Sequence, residues 1–287
     1  MGLIGFKSHE IRIWVVKIQG IEKGVRFEKT WKADMDENQN IFEQEIRVNG
    51  FECDFSGHWK PAAMFQHLTE TAGVHADRLG FGYKAMLAKN LYWVHSRMKI
   101  KFFSFPHTWQ KVTIRTWPKT IQQKLFFIRD FEVLDEQGQK LAAATSAWLV
   151  INAATRHMVP TQQVNLDLPS QPEKFGLDEP LEKLGLSQKG KEALRVKAGY
   201  SAVDILGHVN NSRYVEWICD CFPMDAYQDR QLNWMQINYD HEIRPGEEVA
   251  LLVDHPEGGA DSWTVEGINC NNQTRAFECA LGWKKRE

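Results

Sequence analysis

A five-residue signature occurs twice in the chain: Asp54-Phe-Ser-Gly-His58 returns as Asp204-Ile-Leu-Gly-His208, at a spacing of 150 residues, and each copy leads into a helical segment. A repeat that long points to two copies of one module. The copies diverge just after the histidine, where the first has Lys60 and Pro61 and the second has Asn210 and Asn211. Two modules with one complete site is the organisation this predicts.

In the first copy, Ile41–Glu52 reads as a strand, and Pro61 opens a helix whose apolar face (Ala62, Phe65, Leu68, Ala72, Val74, Leu79) closes at Gly80. Leu91–Phe105, Lys111–Trp117, Leu125–Leu134 and Lys140–Ile151 are rich in aromatic and β-branched residues and read as strands. The second copy repeats the order, with a strand at Arg195–Ser201 and a helix at Asn210–Cys221. Further strands are expected at Leu232–Glu242, Glu247–Asp254, Ser262–Asn269 and Thr274–Trp283. The predicted domains are therefore residues 41–160 and 195–287, joined by a proline-containing linker over 161–194. Residues 1–40 form an N-terminal extension outside this scheme. The fold class is α+β: each copy resembles a hotdog domain, a long helix wrapped by a curved antiparallel sheet. Two such domains in tandem imply a pseudo-dimer with clefts for an acyl group at the seam.

Composition narrows the function. With 43% hydrophobic and 25% charged residues among 287, the chain reads as a globular protein with a substantial core. No apolar run reaches the roughly 18 residues of a membrane span, and nothing marks a nucleic-acid partner. The start shows no clear leader, which leaves a cytoplasmic location as the default expectation. Five cysteines, an odd number without a C-x-x-C pair, argue against a disulfide framework and against a metal site, and no cofactor is implied. Residues 196–287 hold 8 Lys+Arg against 15 Asp+Glu, so the basic excess lies in the earlier part of the chain.

The chemistry-bearing residues gather around the second copy. Asp204 and His208 sit four apart across a turn, and Asn210 and Asn211 start a helix, where unpaired N–H groups can stabilise an oxyanion. Glu242, on the following strand, supplies a second carboxylate, whereas the first copy has Phe103 at that place. Each residue also has an ordinary use, Asp and Asn as turn or cap residues and Glu as a surface charge. Their concentration in one copy favours catalysis.

The run Asp204-Ile-Leu-Gly-His-Val-Asn-Asn-Ser-Arg-Tyr-Val-Glu-Trp217 resembles the second-hotdog motif of acyl-ACP thioesterases. Asn238-Tyr-Asp-His-Glu242-Ile-Arg-Pro-Gly246 is similar to the strand that comes after it in that family, and Asn90-Leu-Tyr-Trp-Val-His-Ser-Arg97-Met to its first-hotdog counterpart. The resemblance implies hydrolysis of fatty acyl-[acyl carrier protein] to free fatty acid, with the carrier protein as acyl donor. It assigns catalytic roles to Asp204, His208 and Glu242, with Asn210 and Asn211 in support. Either the two carboxylates orient and deprotonate water or one of them forms an acyl anhydride.

The family's motif is Asp-x-Asn-x-His, and Leu206 stands at the Asn position here. A cysteine that comes after the Glu in plant members is Ile243. The first module is implied to hold the acyl tail along Met64, Phe65, Leu68, Ala72 and His75. For the acidic carrier, Lys119, Lys124, Arg129, Lys189, Lys191 and Arg195 are candidate contacts. An acyl-CoA thioesterase and a non-catalytic acyl-binding protein, the latter suggested by Leu206, are the competing readings. Pairing of two chains into a homodimer is left open.

Overall fold

The computed structural model describes residues 40–164, 166–181, 183–186, 189–255 and 261–286, so the extension expected over residues 1–40 lies outside the described residues except for its last one. Among the described residues, ten antiparallel strands form one continuous sheet. The first half contains β1 (Phe42–Arg47), β2 (Leu91–Phe102), β3 (Lys111–Gln122), β4 (Phe126–Leu134) and β5 (Lys140–Asn152). In the second half are β6 (Lys191–Lys197), β7 (Arg230–Tyr239), β8 (Glu248–Asp254), β9 (Ser262–Asn269) and β10 (Arg275–Lys285). Read from each outer edge inward, the orders are β1-β3-β4-β5-β2 and β6-β8-β9-β10-β7. The same path is drawn twice. The halves join where β2 meets β7, with Arg97 opposite Asn238 and Lys101 opposite Trp234.

Each half carries one main helix, α1 (Pro61–Arg78) in the first and α4 (Asn211–Asp220) in the second; the shorter α2 (Tyr83–Ala88), α3 (Thr161–Val164) and α5 (Ala226–Asp229) lie in connections. The fold is the tandem hotdog expected, an α+β arrangement. Pro61 starts α1 at a position where its missing N–H costs nothing. The helix ends as Gly80 turns left-handed at φ +79°, while Phe81 N–H donates to Ala76 C=O at 2.8 Å. Met64, Phe65, Leu68 and Ala72 are buried on its inner face, and Val215 and Ile218 of α4 join the same core with Met98, Ile100, Met235, Ile237 and Phe277 of the sheet. Burying a side chain of this size stabilises by roughly 1.5–3 kcal/mol, so the shared cluster binds both halves into one body.

The described parts of the connection between the halves are tied to the sheet. Gln171 N–H donates to Pro118 C=O, Trp117 Nε1 to Lys174 C=O, and Gly176 N–H to the buried Asp130 carboxylate at 2.9 Å. Glu179 then pairs with Lys99 and Lys101 of β2, and Leu184, Gly185 and Leu186 donate their N–H groups to Glu278 of β10. The segment is a strap laid from β3 across to β10. Its prolines and scattered charges read as a linker because its partners lie far away in sequence.

Candidate active site

The second signature is a closed turn whose spacing is set by its hydrogen bonds. Asp204 N–H donates to His208 C=O at 3.1 Å, Gly207 N–H donates to Asp204 C=O at 3.0 Å, and Gly207 has φ +80°, a conformation glycine adopts without steric cost. The Asp204 carboxylate then accepts from Leu206 N–H at 2.9 Å and from Asn210 Nδ2 at 3.2 Å. Asn210 itself caps α4, its Oδ1 accepting from Ser212 N–H at 2.9 Å and from Ser212 Oγ at 2.7 Å. Asn211 is the first residue of the helix, so its N–H has no intrahelical acceptor, and its carbonyl accepts from Tyr239 OH at 3.2 Å.

Glu242 lies beyond the end of β7 in the loop to β8, not on the strand where the sequence pattern placed it. The neighbouring Ile243 anchors it. Ile243 is buried, its N–H donates to Tyr214 OH at 3.2 Å, and its carbonyl accepts from Val209 N–H at 2.9 Å. These bonds place Glu242 Oε1 at 4.0 Å from His208 Nε2. His208 Nδ1 lies 3.2 Å from Val209 C=O; as the donor there, it leaves Nε2 facing the carboxylate. The turn therefore organises its groups as two pairs, Asp204 with Asn210 and His208 with Glu242. Desolvation raises the Tyr214 phenol well above its ordinary range, so it serves as a neutral peg.

A charged side chain of the first half that the sequence reading did not single out is held in place by its neighbour. Arg156, four residues past β5 and in the left-handed region at φ +61°, donates from Nη1 to Tyr92 OH at 2.8 Å. The Tyr92 hydrogen bond, and more weakly the Tyr92 and Glu242 charges, hold its guanidinium above the ordinary value. No motif marks it, because its partner Tyr92 lies far away in sequence.

The first signature closes the same turn with different attachments. Asp54 N–H donates to His58 C=O at 2.8 Å, and Gly57 has φ +79°. Here the carboxylate accepts from Ser56 and His58 N–H groups on one oxygen, and from Arg286 Nη2 at 2.9 Å on the other. Arg286 Nη1 also donates to Ser56 Oγ at 2.7 Å. Lys60, at the cap position, makes no side-chain cap bond. The His58 ring lies 4.3 Å from that of His107; burial first, then the charges of His107 and Arg286, push it below the ordinary imidazole value.

The α1 residues assigned to the acyl tail are all buried: Met64, Phe65, Leu68 and Ala72 in the core, and His75, which accepts at Nδ1 from Arg129 Nη1 at 3.0 Å. Arg129 is thus enclosed and unavailable to a docking protein, and Lys119 is committed to Asp130 at 2.9 Å. Lys189 and Lys191 are exposed; Arg195 is held by Glu192. Burial raises the Cys219 and Cys221 thiols to about 12 and pushes the Cys279 thiol well above its ordinary value, which keeps them protonated near neutral pH. A surface cavity of about 740 Å³ lies beside Arg230, Asp261, Lys284 and Arg286; the paired groups of the second turn, elsewhere, are the better chemical site. Among the described residues no helix is long and apolar enough to cross a membrane.

Both halves have matches among known proteins. Residues 39–165 match the family profile described as acyl-ACP thioesterase N-terminal domain, and residues 186–283 match acyl-ACP thioesterase C-terminal domain. The palmitoyl-acyl carrier protein thioesterase of Gossypium hirsutum, a chloroplastic protein, is 27% identical over 252 residues, which cover 82% of this chain and 60% of that protein. Oleoyl-acyl carrier protein thioesterase 1 of Arabidopsis thaliana, also chloroplastic, is 26% identical over 230 residues, 72% of this chain and 62% of its own. The chain spans about three-fifths of the length of these two relatives.

Among solved structures, an acyl-ACP thioesterase from Bacteroides thetaiotaomicron superposes with a TM-score of 0.73 at 29% identity, covering 87% of this chain and 100% of its own. The 12:0-ACP thioesterase of Umbellularia californica shares the fold, with a TM-score of 0.73 at 19% identity, covering 86% of this chain and 98% of its own. With both halves matched in order by the paired profiles, the chain belongs to the acyl-ACP thioesterase family.

Proposed function

We propose that this protein hydrolyses the thioester of fatty acyl-[acyl carrier protein], releasing free fatty acid and the carrier thiol. The observation that carries this reading is the pairing of His208 Nε2 with Glu242 Oε1 at 4.0 Å beside the start of α4. A carboxylate and an imidazole this close can both reach one water lying beside the pair, which they can deprotonate as it attacks the thioester carbonyl. The oxygen that gains charge is received by the Asn211 N–H at the helix N-terminus. The thiolate then departs and takes up a proton by way of His208. Asp204, with both oxygens occupied by Leu206 N–H and Asn210 Nδ2, keeps the turn and the cap in register. Its role is closer to orientation than to attack on the thioester.

The acyl tail is assigned to the first half, along the inner face of α1 at Met64, Phe65, Leu68, Ala72 and His75. A carrier protein is the proposed donor, as the names of the relatives indicate for them. One observation favours a non-catalytic acyl-binding protein instead: Leu206 offers only its backbone to the turn, where the family pattern has an amide side chain.

Thiol release from acyl-ACPs of graded chain length, run beside the matching acyl-CoAs, separates these possibilities. Glu242→Gln should reduce turnover roughly 10²–10⁴-fold, the range associated with loss of a general base. Tight acyl binding without release from either carrier would replace the hydrolase with the binding protein.

A further inference from the structure

One buried side chain of the sheet has polar atoms and nothing to bond them to. His95 of β2 is buried, and among the described residues neither its Nδ1 nor its Nε2 has a hydrogen-bond partner; no other described side chain leaves two buried polar atoms in that condition. Strand pairing shows where it lies. His95 pairs with Trp148 of β5, which pairs in turn with Phe127 of β4, and the His95 and Trp148 rings stack at 4.2 Å with 6° between their planes. On its other side, past the last β2–β7 pair at Arg97–Asn238, the His95 ring lies 5.3 Å from the ring of Tyr239. Tyr239 pairs with Phe277 of β10 and donates its hydroxyl to Asn211 C=O at the start of α4. The row Phe127, Trp148, His95, Tyr239 and Phe277 therefore leads from the first half, across the seam, to the end of α4 proposed above to receive the thioester oxygen.

We propose that His95 reads a hydroxyl on the acyl chain, so that the protein favours hydroxyacyl groups over unsubstituted ones. The proposal rests on the hydrolase reading above. A tail that leaves Asn211 for the first half crosses Tyr239 and then His95, which places the hydroxyl on the part of the chain nearer the thioester. The neighbouring rings are already committed: Trp148 Nε1 donates to Ser146 Oγ at 2.8 Å, and the Tyr239 hydroxyl serves Asn211. An unmet polar group in such a place is destabilising, and a saturated tail laid over it leaves it unmet. A hydroxyl on the tail satisfies it. Burial lowers the imidazole to about 3, while the Arg97 backbone favours its charged form without completing a bond of normal geometry, so the ring is neutral near pH 7. A neutral ring has one donor nitrogen and one acceptor nitrogen, and a hydroxyl can accept from the first or donate to the second. A carboxylate or phosphate on the tail is the wrong partner, because it would be buried against an uncharged ring.

The test compares dodecanoyl-ACP with 3-, 5- and 7-hydroxydodecanoyl-ACP. Wild type should show a kcat/KM about tenfold higher on one of the hydroxy substrates than on dodecanoyl-ACP, the scale of one satisfied polar group. His95→Leu should bring that ratio near one, chiefly by slowing the hydroxy substrate, whereas His95→Gln, which keeps a donor and an acceptor, should retain most of it. An imidazole with only a structural role would, when replaced, change the rate on both substrates alike. The free acids give a readout that needs no turnover: the matching hydroxydodecanoate should shift the His95 ring ¹⁵N resonances of wild type and bind more tightly than dodecanoate, a difference that His95→Leu should lose. If no hydroxy acid moves those resonances or binds more tightly, the proposal is overturned whatever the thiol release, and a preference that survives intact in His95→Leu overturns it too. If no substrate releases thiol while the binding difference still depends on His95, the hydrolase reading fails and the hydroxyl subsite stands.

Discussion

Both halves close an Asp-to-His turn on a left-handed glycine, Gly57 in the first and Gly207 in the second, yet the two aspartates are used differently. Asp54 commits one oxygen to its own turn and the other to Arg286, and an ion pair fills the position where an amide stands in the second turn. Asp204 instead reaches Asn210, which caps α4, and a loop carrying a carboxylate lies beside His208. The shared features are those that close a backbone turn ahead of a helix. The features that differ, Asn210 against Lys60 and Glu242 against Phe103, are those that can act on a thioester. Asp-x-x-x-His by itself is therefore a folding motif, and its chemistry depends on the cap residue beyond the histidine and on the loop that packs against it.

Substituting both aspartates gives the sharpest test of that contrast. Asp204→Asn should reduce acyl-ACP turnover on the order of 10²-fold, because it disturbs the Asn210 cap and the turn that aims His208. Asp54→Asn should leave turnover within about twofold while lowering stability by about 1–2 kcal/mol, the scale of a charged hydrogen bond lost in a partly buried place. Parallel turnover and thermal-unfolding measurements read both quantities. Equal losses of activity would mean that the first turn also serves the reaction and would erase the distinction.

A smaller effect, opposite in sign, is expected at Leu206. Its side chain is partly exposed, and only its N–H serves the turn. Leu206→Asn places an amide where it can help hold water or the carbonyl, and kcat should rise about threefold to tenfold, the range of one added hydrogen bond in the transition state. Ser56→Asn, the matching change in the first turn, should not raise turnover. A loss of rate in Leu206→Asn would show that the present turn is tuned around the leucine.

The sequence made the repeated path visible because it depends on local signals. Pro61 and Gly80 bracket α1, alternating apolar residues mark most strands, and Asn210 marks the start of α4. Glu242 could be picked out, but its place could not: the strand pattern carries it onto β7, whereas the chain leaves the sheet at Tyr239 so that Ile243 can bury itself under Tyr214. Arg156, Arg286 and the strap over 171–181 and 183–186 were not legible at all. Their partners are distant in sequence, which no local pattern encodes.

The finest test of the comparison concerns pH. His58 is held below its ordinary value, chiefly by burial and then by His107 and Arg286, which means that the folded protein resists protonating it. Above pH 6.5 the ring is neutral in both folded and unfolded chains and exacts no penalty. As pH falls below 6.5 the unfolded chain takes up the proton first, so this part of the stability is lost progressively until the pH passes the lowered folded value. His58→Gln should therefore lose less melting temperature than wild type between pH 7.5 and pH 5.5. His107→Gln, which removes one of the opposing charges, should give an intermediate loss. If all three proteins lose the same amount, the crowding of His58, His107 and Arg286 has no energetic consequence, and the first turn differs from the second only in the residues it lacks.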